Sequence, residues 1–181
     1  MPVIISIVGT SDSGKTILLE RLIPEIIKRG YRVGVIKHSV HGFNLDHEGK
    51  DSWRHKQAGA HTITLSSPTN VAMIKGVEQE LTIDDIVSNY MDDMDIILTE
   101  GYKKEKKPKI EILKKDGPQK DLLCKNDKNL IAVVTDKKID TDVPCFGSQD
   151  IVQLLDFLEQ NYFVLKTGQK GNKAQKEDSL C

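Results

Sequence analysis

Residues 3–8 (VIISIV) form an unbroken, β-branched apolar run that stops at Gly9, the pattern of a strand buried on both faces. The period then changes. Leu18, Leu19, Leu22, Ile23, Ile26 and Ile27 share one helical face, and Gly30 stands where a helix end favours a left-handed residue. Pro24 lies inside this helix and removes a backbone donor, so a kink is expected there. Residues 31–37 (YRVGVIK) read as a second strand, while 38–50 lack any period and carry Gly42 and Gly49, as a long loop does. A short helix is predicted over 51–58, ended by Gly59, then strands over 62–65 and 71–75 with 66–70 as the turn between them. Thr82 opens a further helix, with Asp85 at capping-box spacing and Leu81 and Ile86 placed as a hydrophobic staple.

Residues 95–100 predict a strand that turns at Gly101, and 130–134 another buried strand. Between them, 109–113 and 122–124 are expected to pair as a hairpin around Asp116-Gly117. Ser148 is expected to cap a last helix that carries Ile151, Leu154, Leu155 and Leu158 on one face. Strands alternating with helices predict an α/β fold, a mostly parallel sheet with helices on both faces and a small β-hairpin extension. One domain is expected over residues 1–165, followed by a polar, disordered tail over 166–181.

Composition narrows the function. With 26 Lys and Arg against 27 Asp and Glu the net charge is −1, so a nucleic-acid partner is not expected and any anion must bind at a local site. Cys124, Cys145 and Cys181 are widely spaced without a CxxC pair, which argues against a disulfide framework or cysteine zinc site and suits a reducing compartment. The opening apolar run is too short for a signal sequence, and no stretch approaches the roughly 20 apolar residues of a membrane span. A soluble, cytoplasmic protein is expected, with no membrane partner.

Residues 9–16, Gly9-Thr10-Ser11-Asp12-Ser13-Gly14-Lys15-Thr16, match GxxxxGK[ST] in full, between a buried strand and an amphipathic helix. Glycines let the backbone wrap a phosphate, and the N–H groups of the loop and first helical turn point at its oxygens. Lys15 supplies a cation to the β- and γ-phosphates of a nucleotide, and Thr16 a hydroxyl to Mg²⁺. Such a site needs a second carboxylate at the carboxyl end of a neighbouring strand. Glu100, just before the turn at Gly101, has that position, as a magnesium-water or catalytic carboxylate or as a plain strand end. Asp95 starts the same strand, about 15–17 Å away at ~3.3 Å per residue, and is assigned a structural role.

His38, His41, His47, His55 and His61 fall within one segment together with Asp46, Asp51 and Arg54. Three readings fit: a metal site built on His38 and His41 with Asp46 or His47; a switch-like loop in which Asp46 or Asp51 places a water or Mg²⁺; or a polar surface loop. Seven lysines between Lys103 and Lys115 read either as a solvated face or as contacts to an anionic ligand or acidic partner. The guanine-reading NKxD box is absent. Asp136, after the strand at 130–134, is the best-placed carboxylate to accept from guanine, and taken alone these residues leave GTP against ATP open.

The phosphate loop, the segments 36–60 (IKHSVHGFNLDHEGKDSWRHKQAGA) and 97–103 (ILTEGYK), Pro108-Lys-Ile-Glu111, and 132–136 (AVVTD) occur in an order that resembles the MobB family of molybdopterin-guanine dinucleotide biosynthesis adaptor proteins. The likeness covers about residues 2–160. It implies a P-loop NTPase fold and a homodimer that binds GTP and Mg²⁺ with weak GTPase activity. It also implies the guanylyltransferase MobA as the partner assisted, with molybdopterin as a further candidate contact. By position, Gly9, Thr10, Ser11, Asp12, Ser13, Gly14, Lys15 and Thr16 would hold the phosphates. Asp136 would take the guanine, Thr16, Glu100 and Asp46 the metal, and Glu100, Asp46 and Arg54 the catalytic roles. Two other classes remain open on the residues: a small-molecule kinase or ATP-dependent ligase, and a non-catalytic interaction module stabilised by nucleotide.

Overall fold

The apolar run at the start of the chain becomes an inner strand of a six-stranded sheet. The structure, a computed structural model, describes residues 1–43, 47–117 and 119–163; Asp46, Cys181 and the tail expected from 166 lie outside them. In chain order the elements are β1 (Val3–Val8), α1 (Lys15–Lys28), β2 (Val33–Lys37), α2 (Asp51–Gln57), β3 (Thr62–Ser66), β4 (Val71–Lys75), α3 (Ile83–Tyr90), β5 (Ile96–Glu100), β6 (Lys109–Ile112), β7 (Leu130–Val134), β8 (Cys145–Phe146) and α4 (Ile151–Asn161). The sheet runs β2-β5-β1-β6-β7-β8 with every neighbouring pair parallel. All its carboxyl ends therefore meet at one edge, where ligands of open α/β sheets bind. β3 and β4 form a separate antiparallel hairpin.

One sheet face packs on α1 and α4: Ile5, Ile7, Ile96, Leu98, Ile110 and Ile112 meet Leu18, Leu22 and Ile26 of α1 and Leu154, Leu155 and Leu158 of α4. α1 runs unbroken through Pro24; the lost donor is offset by the burial of Leu22 and Ile26 on either side of it. On the other face α3 packs through Ile83 and Val87 on Ile36 and Ile97, with the partly buried Ile4 beside them. Thr82 caps α3 with the expected box: its Oγ1 accepts from the Asp85 N–H at 3.1 Å while its own N–H donates to Asp85 Oδ2 at 3.2 Å.

The rest of that face, built on Val8, Leu113, Leu130 and Val133, is closed by irregular chain carrying Cys124. Here the expected hairpin of 109–113 with 122–124 does not form. β6 lies inside the sheet between β1 and β7, and 122–124 is irregular chain leading into a turn. What joins the two is the Glu111 carboxylate, 0% exposed. It accepts from the Leu123 N–H at 2.7 Å, the Cys124 N–H at 2.9 Å and Gln119 Nε2 at 2.7 Å. Lys109, two residues earlier on the same strand face and 1% exposed, donates to Asp127 Oδ2 at 2.8 Å and to the Glu105 carbonyl. Backbone groups turned toward the sheet must be satisfied somewhere, and these two side chains do so without a helix. Lys109 thus leaves the solvated face that the lysine run suggested.

A second correction concerns α4. Its N-cap is Asp150, not Ser148; the Ser148 hydroxyl that would cap is engaged by Asp136, which also accepts from the Ser148 N–H at 2.8 Å.

The Lys109–Asp127 pair can be tested through stability. The bond from Lys109, with the Asn129 N–H, holds the Asp127 carboxyl at about 2 against an ordinary 3.8. A carboxyl lowered in the folded state stabilises above its unfolded value and loses that contribution as pH falls through its folded value, here between about 4 and about 2. Asp127→Asn should cost about 3 kcal/mol at neutral pH by leaving a buried ammonium without its counter-charge, and Lys109→Met distinctly less. Urea unfolding checks both; equal losses would show that Asp127 does not neutralise Lys109.

Candidate functional site

The carboxyl end of β1 feeds a loop whose backbone only glycine could follow at its two ends. Gly9 has φ 155°, and a Cβ there would stand 2.5 Å from Ser13 Oγ and 2.9 Å from the Ile112 carbonyl oxygen. Gly14, left-handed at φ 100°, is the N-cap of α1. It offers no capping side chain, and the first turn of α1 has no acidic residue, so the N–H groups and the positive end of the helix dipole face outward unanswered. Among the described residues, Ser13 Oγ is buried in this loop without a hydrogen-bond partner. A cradle closed to a Cβ at Gly9, an uncapped helix N-terminus and an orphaned buried hydroxyl fit a phosphate group.

The Lys15 amine folds back over the loop, donating to the Thr10 carbonyl at 2.6 Å and to that of Gly9 at 3.5 Å. Its pKa is lowered, first by burial and then by Lys103 and Lys37, with Glu100 and Asp12 opposing. Thr16 is exposed at the start of α1. Glu100 lies across the ladder from Ile7 of β1 and Lys37 of β2, its Oε1 3.8 Å from Lys37 Nζ. It is therefore beside the loop, as its place at the strand end suggested. Asp95 is at the far end of β5, where its Oδ2 accepts from the Arg32 N–H at 2.8 Å and its carbonyl from the Val3 N–H at 3.0 Å, a structural role.

Two clefts flank the loop. One, about 280 Å³, is lined by Asp12, Gly14, Arg21, Lys114, Asp136 and Ser148 among others. There the Ser148 N–H holds the Asp136 carboxyl below the ordinary carboxylate range, and Arg21 Nη1 donates to the Ser148 carbonyl at 3.1 Å. The other, about 680 Å³, shares Gly9, Ser11 and Lys15 with the loop and is walled by His38, Glu80, Tyr102 and Lys103.

Other residues singled out by the sequence separate in space, and some move away from the site. Of the five histidines only His38 lines the larger cleft; His41, His47, His55 and His61 are exposed. Among the described residues no group of three or more His, Cys, Asp or Glu is placed to hold a metal ion. Asp51 and Arg54 sit exposed on α2, 3.9 Å from each other, and line neither cleft. The lysine run divides: Lys103 and Lys104 line the larger cleft, Lys114 the smaller, and Lys107 bonds Asp84 at 2.6 Å. Sequence reasoning misses Arg21, Glu80, Tyr102 and Ser148 as residues of the site. Tyr102 alone leaves a trace, following Gly101 in a turn; both residues are left-handed. Cys124 and Cys145 are free thiols. No helix among the described residues is long and apolar enough to cross a membrane.

A family model described as "MobB: Molybdopterin guanine dinucleotide synthesis protein B" matches residues 4–136. The molybdopterin-guanine dinucleotide biosynthesis adapter protein of Haemophilus influenzae is 37% identical over 157 residues, covering 86% of this chain and 87% of that protein. Its Escherichia coli counterpart is 36% identical over 155 residues, covering 82% and 86%. Among solved structures, a crystal structure of molybdopterin-guanine biosynthesis protein B superposes with a TM-score of 0.70 at 33% identity, covering 87% of this chain and 97% of that one. Bacillus subtilis MobB gives 0.67 at 28% identity, covering 87% and 98%.

Gly9→Ala should weaken binding of inorganic tripolyphosphate at least tenfold by forcing the loop away from Ile112, measured by calorimetry. Gly14→Ala meets nothing within 4 Å and should cost only the left-handed strain, about 1–2 kcal/mol of stability. Undiminished binding by Gly9→Ala would show that the tight approach is not what shapes the site.

Proposed function

The chain belongs to the MobB family, and from that premise we propose that it is a GTP-binding adaptor in molybdopterin guanine dinucleotide synthesis, with weak GTPase activity, assisting the guanylyltransferase. The observation that carries the nucleotide reading is the uncapped N-terminus of α1 beneath a loop that holds the buried, unpartnered Ser13 hydroxyl.

In this reading Lys15 exchanges the Thr10 carbonyl for the β- and γ-phosphates, and the N–H groups of 10–16 take the remaining oxygens. Thr16 and Glu100 are the residues here that would hold Mg²⁺, joined by Asp46 from outside the described residues. Bound there, the ion would neutralise phosphate charge and order the phosphate chain. The base enters the smaller cleft, where Asp136 accepts from the N1–H and exocyclic amine of guanine, an arrangement adenine does not offer.

Weak turnover follows from the cations present. The larger cleft, on the terminal-phosphate side, offers Lys15, Lys103 and Lys104 but no arginine among the described residues, and an arginine supplied to such a site is worth about 10³–10⁵ in rate. Arg54, exposed on α2 and lining neither cleft, would serve a catalytic role only at a site on another molecule. The protein then stores or presents GTP, and the transferase does the chemistry.

A homodimer is part of the proposal. The excursion from 51 to 75 is thinly supported: α2 buries no residue, and Leu65, Val71 and Met73 of the hairpin are exposed. A lone two-stranded hairpin is marginal in water, so a second copy is its expected cover.

Calorimetric titration in Mg²⁺ at fixed salt should show GTP binding at least tenfold tighter than ATP, since hydrogen bonds to a charged acceptor are worth about 1.5–3 kcal/mol each. Asp136→Ala should bring the two to within about threefold. Equal affinities in the unaltered protein would defeat the guanine reading. In sedimentation equilibrium, Leu65→Asp with Met73→Asp should turn a dimer into a monomer; a monomeric starting protein would refute the dimer.

A further inference from the structure

With the nucleotide placed across the loop and into the smaller cleft, the larger one is left over. Its volume of about 680 Å³ lies in the range of small-molecule sites. Its walls are apolar at Val40 and Leu81, and aromatic where His38 stacks on Tyr102, centroids 4.6 Å apart and planes 27° from parallel. Glu80 Oε1 meets His38 Nε2 at 2.7 Å, leaving its other carboxylate oxygen for a further donor. Lys103 and Lys104 stand exposed along it.

The backbone is arranged to place these groups. Gly101 and Tyr102 are both left-handed, at φ 108° and 50°, and a Cβ on Gly101 would come within 3.2 Å of His38 Cβ. A left-handed tyrosine is uncommon. Here the reversal after β5 carries the ring onto His38 at the mouth of the phosphate loop. The Tyr102 phenol, its pKa raised by burial and then by Glu80 and Glu105, stays neutral.

We propose that this cleft binds a second ligand beside the nucleotide's terminal phosphate: a planar heterocycle with N–H donors along one edge and a phosphate on its side chain. The inference rests on the reading above for the position of the nucleotide. The ring lies against the His38–Tyr102 wall, as heterocycles do on aromatic side chains. The N–H edge bonds Glu80, and the phosphate pairs with Lys103 and Lys104. Gly9, Ser11 and Lys15 form the shared boundary, so both ligands are held at once with their phosphates adjoining. A charged pair of ligands so close needs the lysines between them.

Neopterin monophosphate is the probe: it is planar, has the required N–H edge and phosphate, and fluoresces. Titrated with protein saturated with Mg²⁺ and a non-hydrolysable GTP analogue, it should be quenched saturably. Tyr102→Ala should weaken it at least tenfold and Tyr102→Phe less than threefold, with the affinity for the GTP analogue unchanged in both. Lys103→Ala with Lys104→Ala, a surface change that spares the fold, should reduce affinity to that of neopterin lacking phosphate. No quenching, displacement of the probe by the GTP analogue, or full binding by both the Tyr102→Ala and double-lysine variants would overturn the proposal. Probe binding without any binding of the GTP analogue would refute the nucleotide reading and leave the cleft's ligand class standing.

Discussion

A carboxylate with no accessible surface organises the half of the molecule that has no helix to cover it. Glu111 sits one rung across from Val8, the last residue before the loop at 9–16, and gathers three donors from the chain at 119–124. Lys109, on the same strand face, gathers Glu105 and Asp127. Between them they fix the connections before and after β6 to the sheet. The desolvation of both ions is repaid by hydrogen bonds that the buried backbone needs anyway. The same strand ends at Ile112, whose carbonyl oxygen leaves no room for a Cβ at Gly9.

The shape of the site follows from that packing. β1 ends between β5 and β6, so the loop is flanked by the reversal at Gly101 on one side and by the ends of β6 and β7 on the other. Each flank makes a cleft, and the loop is their common wall. Lys15, resting on the Thr10 carbonyl, is held within the loop by that bond. The charges that act on its amine, Glu100, Lys103, Asp12 and Lys37, come from three separate stretches of chain, which is why folding must precede the site.

Much of this is legible in the sequence because it is local. The β-branched run before Gly9, the helical spacing from Leu18, the Thr82–Asp85 box and the glycines after α1 and α2 are patterns within a few residues, and they form as read. β6 escapes such reading because KIEI alternates like a half-exposed strand and Asp116-Gly117 supplies a turn. Nothing near it in sequence announces that its two charged residues find partners 12 to 18 positions away. The histidines fail in the opposite sense. Nearness along the chain suggests a cluster, but an excursion of helix and hairpin carries them apart and leaves one, His38, at the cleft. Ser148 has a capping residue's chemistry, yet Asp136 already engages its hydroxyl as well as its N–H. The wall of His38, Glu80 and Tyr102 draws on three stretches of chain that only the fold brings together.

The bond between His38 and Glu80 joins residues 42 positions apart, at the two ends of the excursion that leaves β2 and returns at α3. In polymer terms it is a staple across the neck of a loop. The entropy of closing such a loop grows only with the logarithm of its length. The six-stranded sheet is therefore nearly indifferent to how much chain the excursion contains. Helix, hairpin and connecting turns can lengthen, shorten or melt beyond the neck while the sheet edge that carries the loop at 9–16 keeps its register.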